Sequence, residues 1–288
     1  MKSFTWREPP RIPTSVLGSI REAVRRVGSF ASGVPDVDLG EAPKILARLG
    51  FSEEQAREVI AHLWGYFVTS EAIFRHPAIR PAAKSPEILG LYREHGVVIA
   101  AREANVPPLG LLRQILGDRG VPSTAISGII SGRVPAREYL SDEEILQLGE
   151  ACASDASCRD NQLRSAEVAA RSEELLVEYF TSRGVTFRTQ EELIAQGHTT
   201  ATPDILFDEA VSINGHVVKW LDNKNYTYAP GGFLAKSAAK QAARNLREWG
   251  PGGFCYRGIC GRDQMLAGAY LFDTMFVLGD AHSGGRRL

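Results

Sequence analysis

A mixed α/β fold behind a helical N-terminal half is the fold class this sequence predicts, and three observations predict it. Up to about residue 155, apolar positions recur at helical spacing between Pro and Gly breaks. After residue 165 the pattern changes to short β-like runs set between two amphipathic helices. Within that half, Asn214-Gly215 lies between two such runs, the strongest short-range hairpin signal in the chain. The 288 residues suffice for one large or two ordinary domains, and the reading divides them into 1–158, helical, and 159–288, α/β.

The elements follow in order. Residues 52–69 open with Ser52 and then Glu53, Glu54 and Gln55, a capping box, and place Ala56, Val59, Ile60, Leu63 and Phe67 on one face. A second helix starts at Ser85-Pro86 and stops at Gly96. Residues 97–104, a break at 105–108, and residues 109–116 suit a helix-turn-helix, although any small helical bundle contains such corners. Residues 122–130 repeat the pattern before a basic, proline-marked stretch at 131–137. Residues 151–164, rich in Ser, Ala, Asp and Asn, read as the boundary. An amphipathic helix then spans 165–182, with Val168, Leu175, Leu176, Tyr179 and Phe180 apolar and Gly184 as its stop. Short strands are expected at 185–187, 204–207, 211–213 and 216–221, a helix at 234–249, and late strands at 254–259 and 274–278.

Composition narrows the function classes. Thirty-three Lys+Arg against 34 Asp+Glu, a net charge of −1, give no bulk attraction to nucleic acid or to an anionic membrane, so any such role must be local. Hydrophobic content of 44% and charged content of 23% exclude wholesale disorder. No apolar run approaches the roughly 18–20 residues of a membrane-spanning helix, and residues 1–13 have no secretory h-region. The cysteines, Cys152, Cys158, Cys255 and Cys260, lack CxxC spacing and read as reduced intracellular thiols. No run of five or more basic residues marks nuclear import, leaving the cytoplasm or the nucleus open.

Chemistry concentrates in a few residues. Asp204 follows Pro203 at the start of a strand, and Asp222 and Lys224 sit two apart at the end of another, so strand alternation puts them on one face after Trp220. Glu173 and Glu174 lie on the preceding helix. Carboxylates from neighbouring strands joined by a helical one make an oxygen-rich cup suited to Mg²⁺. A lysine beside it can position or activate water and offset charge on a phosphorane-like transition state. The bare Asp-x-Lys is expected about once by chance among seven lysines, and its plain alternatives are a turn acid after proline and a solvated strand end. In the next helix Lys236, Lys240, Arg244 and Arg247, spaced 4, 4 and 3 apart, share a face. Six basic residues and one acid, Glu248, fall between Lys236 and Arg262, a phosphate-backbone track or an ordinary solvated face. Gln241 lies beside this row and could contact a base edge, a phosphate or the lysine.

Thr202-Pro203-Asp204-Ile205-Leu206, the hairpin at 214–218 and Trp220-Leu221-Asp222-Asn223-Lys224 resemble the TPD-motif proteins, the codanin-interacting nuclease family of the PD-(D/E)xK superfamily, which is related to archaeal Holliday-junction resolvases. The resemblance extends from Glu173 to about Ile259, and over the N-terminal half it is one of architecture more than of motif. It implies a restriction-endonuclease-like PD-(D/E)xK core with an all-helical, helix-turn-helix-like N-terminal domain. By position, Asp204, Asp222 and Glu173 would hold Mg²⁺ or Mn²⁺, Lys224 would be the catalytic lysine and Gln241 the polar residue on the following helix. Three positions depart from the pattern: Asp222 stands for a Glu, Asn225 for a small residue, and Asn245 for an aromatic.

The expected function is a metal-dependent endonuclease acting on structured or branched nucleic acid, DNA in preference to RNA. The alternative is a catalytically silent nucleic-acid-binding or partner-docking protein, for instance toward a codanin-like scaffold. A homodimer fits the superfamily's action on symmetric junctions. A transcriptional regulator using the helix-turn-helix-like unit is a weaker third reading, because it leaves the carboxylates unexplained.

Overall fold

Helical periodicity and capping in the first half produce eight α-helices among the described residues: α1 Thr14–Val27, α2 Ala42–Arg48, α3 Glu53–Ala82, α4 Pro86–His95, α5 Val97–Ala104, α6 Pro108–Asp118, α7 Ser123–Ile130 and α8 Asp142–Ala153. The computed structural model describes residues 1–278 apart from Ser29 and Ser32, with the backbone alone for residues 159–162 and 164. A two-residue strand, β1 Ser3–Phe4, precedes these helices. The second half contributes α9 Arg159–Thr181, β2 Phe187–Thr189, α10 Gln190–Ala195, β3 Ile205–Ile213, β4 His216–Lys224, α11 Phe233–Trp249, β5 Gly252–Tyr256, β6 Met265–Leu266 and β7 Ala269–Asp273. The class is mixed α/β. Among the described residues no helix is long and apolar enough to cross a membrane.

The capping box at Ser52 forms: its Oγ accepts from the Gln55 amide at 3.2 Å, and Gln55 Oε1 accepts from the Ser52 amide at 2.9 Å. The helix it starts runs past 69 to Ala82: neither Gly nor Pro interrupts residues 66–76, and Pro77 and Pro81 both lie within it. The expected boundary at 151–164 is shorter, since α8 ends at Ala153 and α9 begins at Arg159.

The chain divides into two compact units that are not successive in sequence. One comprises residues 1–19, 40–62 and 166–288; the other comprises residues 20–39 and 63–165. A single cut between 158 and 159 does not describe this division, because two N-terminal stretches group with the sheet. The helical unit packs Tyr92, Val97, Ala100, Leu112, Ile115, Ile126 and Ala151 into its own core. Its α5–α6 corner turns at Asn105, in the left-handed region at φ 52°. Helix α6 is central to this core: Leu109, Leu111, Leu112, Ile115 and Leu116 are buried, and only Arg113, Gly117 and Asp118 are exposed.

Among the described residues the sheet unit holds a seven-stranded mixed sheet in the order β1-β3-β4-β5-β7-β6, with β2 also paired to β3. Strands β3 and β4 are antiparallel, β4–β5 and β5–β7 parallel. Asn214 and Gly215 turn the β3–β4 hairpin at φ 50° and 83°, both positive, as the sequence pair demands. The two β runs at 204–207 and 211–213 prove to be one strand with an irregularity between Leu206 and Val211, where Asp208 and Glu209 are exposed. The late strands are displaced toward the N-terminus: β5 starts at Gly252, and β7 ends at Asp273, whose carboxylate then accepts from the Met275 amide at 3.0 Å to turn residues 274–278. Strand β1 joins the sheet across more than 200 residues, Ser3 opposite Ser212 and Phe4 opposite Ile213.

Two helices cover the two faces. On one, Leu176 and Phe180 of α9 pack with Ile205, Phe207, Leu221, Cys255 and Phe272. On the other, Ala235, Ala238 and Ala242 of α11 pack with Leu206, Trp220, Phe254, Tyr256 and Leu271. From Trp220 onward, strand alternation assigns even positions of β4 to the α11 face and odd ones to the α9 face, whereas Val218, nearer the hairpin, packs with the α9 cluster.

Candidate active site

The end of β4 carries three consecutive polar residues into this layered core, and alternation separates them. Asp222 and Lys224 follow Trp220 onto the α11 face, where Gln241 meets both. Gln241 Nε2 donates to Asp222 Oδ2, and Lys224 Nζ donates to Gln241 Oε1 at 3.0 Å. The Lys224 ammonium pairs directly with Asp222 Oδ1. Asp222 is 1% exposed. Asn223, between them, faces α9: its Nδ2 donates to the buried Ser172 Oγ at 2.8 Å.

Asp204 enters from the loop before β3. Extending the register that sets Ile205 opposite Leu221 puts Asn223 opposite Pro203, just beyond the strand, so the Asn223 amide has no β3 partner. Asp204 Oδ2 takes that amide, accepting from Asn223 N at 2.6 Å. The same residue that anchors β4 to α9 thus fixes the Asp204 carboxylate beside Asp222.

These groups influence one another electrostatically. Burial, then the Asp222 and Glu173 carboxylates, push Asp204 well above the usual range despite the Asn223 amide and Lys224. Burial raises Asp222 against the opposing pull of Lys224. Glu173 is also raised, by burial and then by Asp222, with Lys224 opposing. For Lys224, burial works against the ammonium, but Asp222 and then Asp204 outweigh it and leave the group above the ordinary lysine value. Lys224 is therefore an ammonium at neutral pH.

The structure separates Glu173 from Glu174. Glu173 is half-buried and feels Asp222 and Lys224, whereas Glu174 is exposed and pairs with Arg171 at 2.9 Å. It also divides the basic row. Lys236, Lys240, Arg244 and Arg247 are all exposed on α11, but Arg244 Nε donates to the Thr200 carbonyl at 3.1 Å. Arg257, one of the six basic residues between 236 and 262, does not belong to a surface track. It is buried, and its guanidinium forks the Glu58 carboxylate at 2.8 and 2.9 Å. Sequence reasoning passed over Ser172 and Asn223; alternation along β4 was the signal that could have put Asn223 on the α9 side.

Three neighbouring carboxylates, Asp222 buried and Asp204 and Glu173 partly exposed, are a donor set that suits a hard divalent cation. Their side chains are otherwise engaged, Asp222 by Lys224 and Gln241 and Asp204 by the Asn223 amide. Among the described residues no three His, Cys, Asp or Glu side chains stand as a ready metal cage.

Comparison with known proteins singles out the same region. Residues 142–261 match the family described as protein of unknown function TPD sequence-motif. That range takes in Glu173, Asp204, Asp222, Lys224 and Gln241. Uncharacterized protein L539 of Acanthamoeba polyphaga mimivirus is similar, 33% identical over 85 residues, which is 28% of this chain and 31% of the relative. The chain thus spans about a third of the length of that curated relative. No solved structure matches significantly.

Proposed function

We propose that this chain is a divalent-metal-dependent endonuclease that hydrolyses phosphodiester bonds in structured or branched DNA, on a restriction-endonuclease-like PD-(D/E)xK core. The observation that carries the reading is the set of three carboxylates around one ammonium, Asp204, Asp222 and Glu173 with Lys224, where the start of β3 meets the end of β4, at the far end of the hairpin from its turn. The α9-β2-α10-β3-β4-α11-β5 succession, with an antiparallel hairpin and then a parallel strand, supports the fold assignment.

Asp204 and Asp222, with Glu173, would hold Mg²⁺ or Mn²⁺, which when bound lowers the pKa of water and offsets phosphoryl charge. Lys224, held as an ammonium by Asp222, supplies positive charge at the scissile phosphate and does not serve as a free base. Gln241 keeps Lys224 and Asp222 in one geometry by bonding both. Lys236, Lys240 and Arg247 offer exposed cations to the phosphate backbone.

The test is cleavage of labelled branched, flapped and single-stranded DNA with Mg²⁺ or Mn²⁺. Asp222→Ala and Lys224→Ala are expected to lose about 100-fold or more of the rate. Failure of the wild-type protein on every substrate overturns the reading. The engaged Asp222 oxygens favour one second reading, a nucleic-acid-binding or partner-docking module without turnover. It requires nucleic-acid binding that neither Mn²⁺ nor Asp204→Ala alters.

A further inference from the structure

We infer that Gln190, Arg244 and Trp249 form a strap that positions Asp204, an inference that rests on the nuclease reading of the site. Residues 198–203 lie outside any helix or strand, so no ladder holds their carbonyls. Three consecutive carbonyls in this stretch are nevertheless each caught by a different side chain. Arg244 Nε donates to Thr200 O at 3.1 Å, Trp249 Nε1 to Ala201 O at 2.8 Å, and Gln190 Nε2 to Thr202 O at 2.9 Å. The donors come from two elements, the start of α10 and the last turns of α11. Only Pro203, whose ring fixes φ, separates the last held carbonyl from Asp204.

The strap is itself braced. The His198 ring meets Trp249 edge-on with centroids 5.0 Å apart, and the Arg188 guanidinium lies 5.9 Å above the Trp249 ring. Through these bonds α11 controls two sides of the site: Gln241 holds Asp222 and Lys224, and Arg244 and Trp249 hold the approach to Asp204. Arg244 is accordingly a positioning residue, distinct from Lys236 and Lys240 on the same helix. A loop carrying a carboxylate past the end of its strand needs such restraint, because a displacement of about 1 Å can cost on the order of 100-fold in rate.

The experiment compares Trp249→Phe, Gln190→Met and Arg244→Gln with Lys240→Ala in the full chain. Single-turnover cleavage, the Kd for a DNA substrate, and the salt dependence of that Kd are measured for each. The strap variants are expected to lose about tenfold or more in the cleavage step with Kd within about twofold of wild type and an unchanged salt slope. Lys240→Ala instead raises Kd and flattens the slope by about one unit. A slope change of that size in Arg244→Gln, with the cleavage step intact, overturns the assignment of Arg244. Hydrogen exchange of the Asn223 amide, which Asp204 accepts, gives a readout that needs no turnover. Faster exchange in Trp249→Phe and Gln190→Met upholds the strap even if wild type cleaves nothing, in which case only the nuclease reading falls. Wild-type exchange in both variants, with melting temperatures unchanged, overturns the strap.

Discussion

Lys224→Met removes the one cation from a buried set of carboxylates and leaves the apolar stem in place. Unit charges about 4 Å apart attract by ~4 kcal/mol at an effective dielectric of ~20. Lys224 has its side chain 20% exposed and Asp222 1%, so water compensates little of the loss. Breaking a buried pair from one side costs about 3–5 kcal/mol. At roughly 2–4 °C per kcal/mol for a unit of this size, the melting temperature should fall by about 6–20 °C near pH 8. The sign of the pH dependence follows from Asp222. Its pKa is already raised in the fold, and Lys224 is what restrains the rise. Without Lys224 it climbs further, so the charged carboxylate destabilises the fold as pH rises through that value, and protonation removes the penalty below it. The gap to wild type should therefore close as pH is lowered from about 8 toward 5. Calorimetry across that range, with Asp222→Asn/Lys224→Met as the second arm, checks it; Asn keeps an oxygen for Gln241 while discarding the charge, and should recover most of the loss. A melting temperature within about 2 °C of wild type at pH 8, or a gap that widens on acidification, refutes the reasoning.

Two further outcomes follow from the same geometry. Asp204→Asn should raise the metal-free melting temperature by about 2–4 °C at pH 7.5, roughly 1 kcal/mol, while abolishing divalent-cation binding. The folded pKa of Asp204 is raised, so its charged form costs stability only above the unfolded value; the gain should vanish near pH 4, and a loss at pH 7.5 in calorimetry contradicts the burial argument. Gly252→Ala should destabilise by ~3 kcal/mol, because a Cβ there meets the Trp220 ring at 2.2–2.4 Å, and that ring is fully buried with its Nε1 bonded to Gly250 O. A urea midpoint equal to wild type would show that the ring can move.

The legible part of this protein is the part governed by neighbours in sequence. Ser52 with Gln55 started a helix, Asn214-Gly215 made the positive-φ turn, and alternation put Asp222 and Lys224 on one face with Trp220. Less legible are stretches whose composition fits one element while a backbone irregularity or a side-chain bond gives them another. β3 reads as two short runs because its irregularity exposes Asp208 and Glu209 in mid-strand. The 274–278 stretch is apolar enough for a strand, yet the Asp273 carboxylate turns it.

The sequence by itself determined which chemical groups stand near the ends of β3 and β4, since period-two geometry and a two-residue turn are local properties of the backbone. Tertiary structure decided what those groups can do. It set Glu173 near Asp222 and left Glu174 exposed with Arg171, turned Arg257 from a surface cation into the partner of Glu58, and gave Arg244 to a carbonyl. It also brought Ser172 to Asn223 and so set Asp204 against Asp222. The reason is physical: the charge state and reach of an ionisable side chain depend on what desolvates and bonds it, and apart from the Asp222–Lys224 pair those neighbours lie 17 to 199 residues away along the chain.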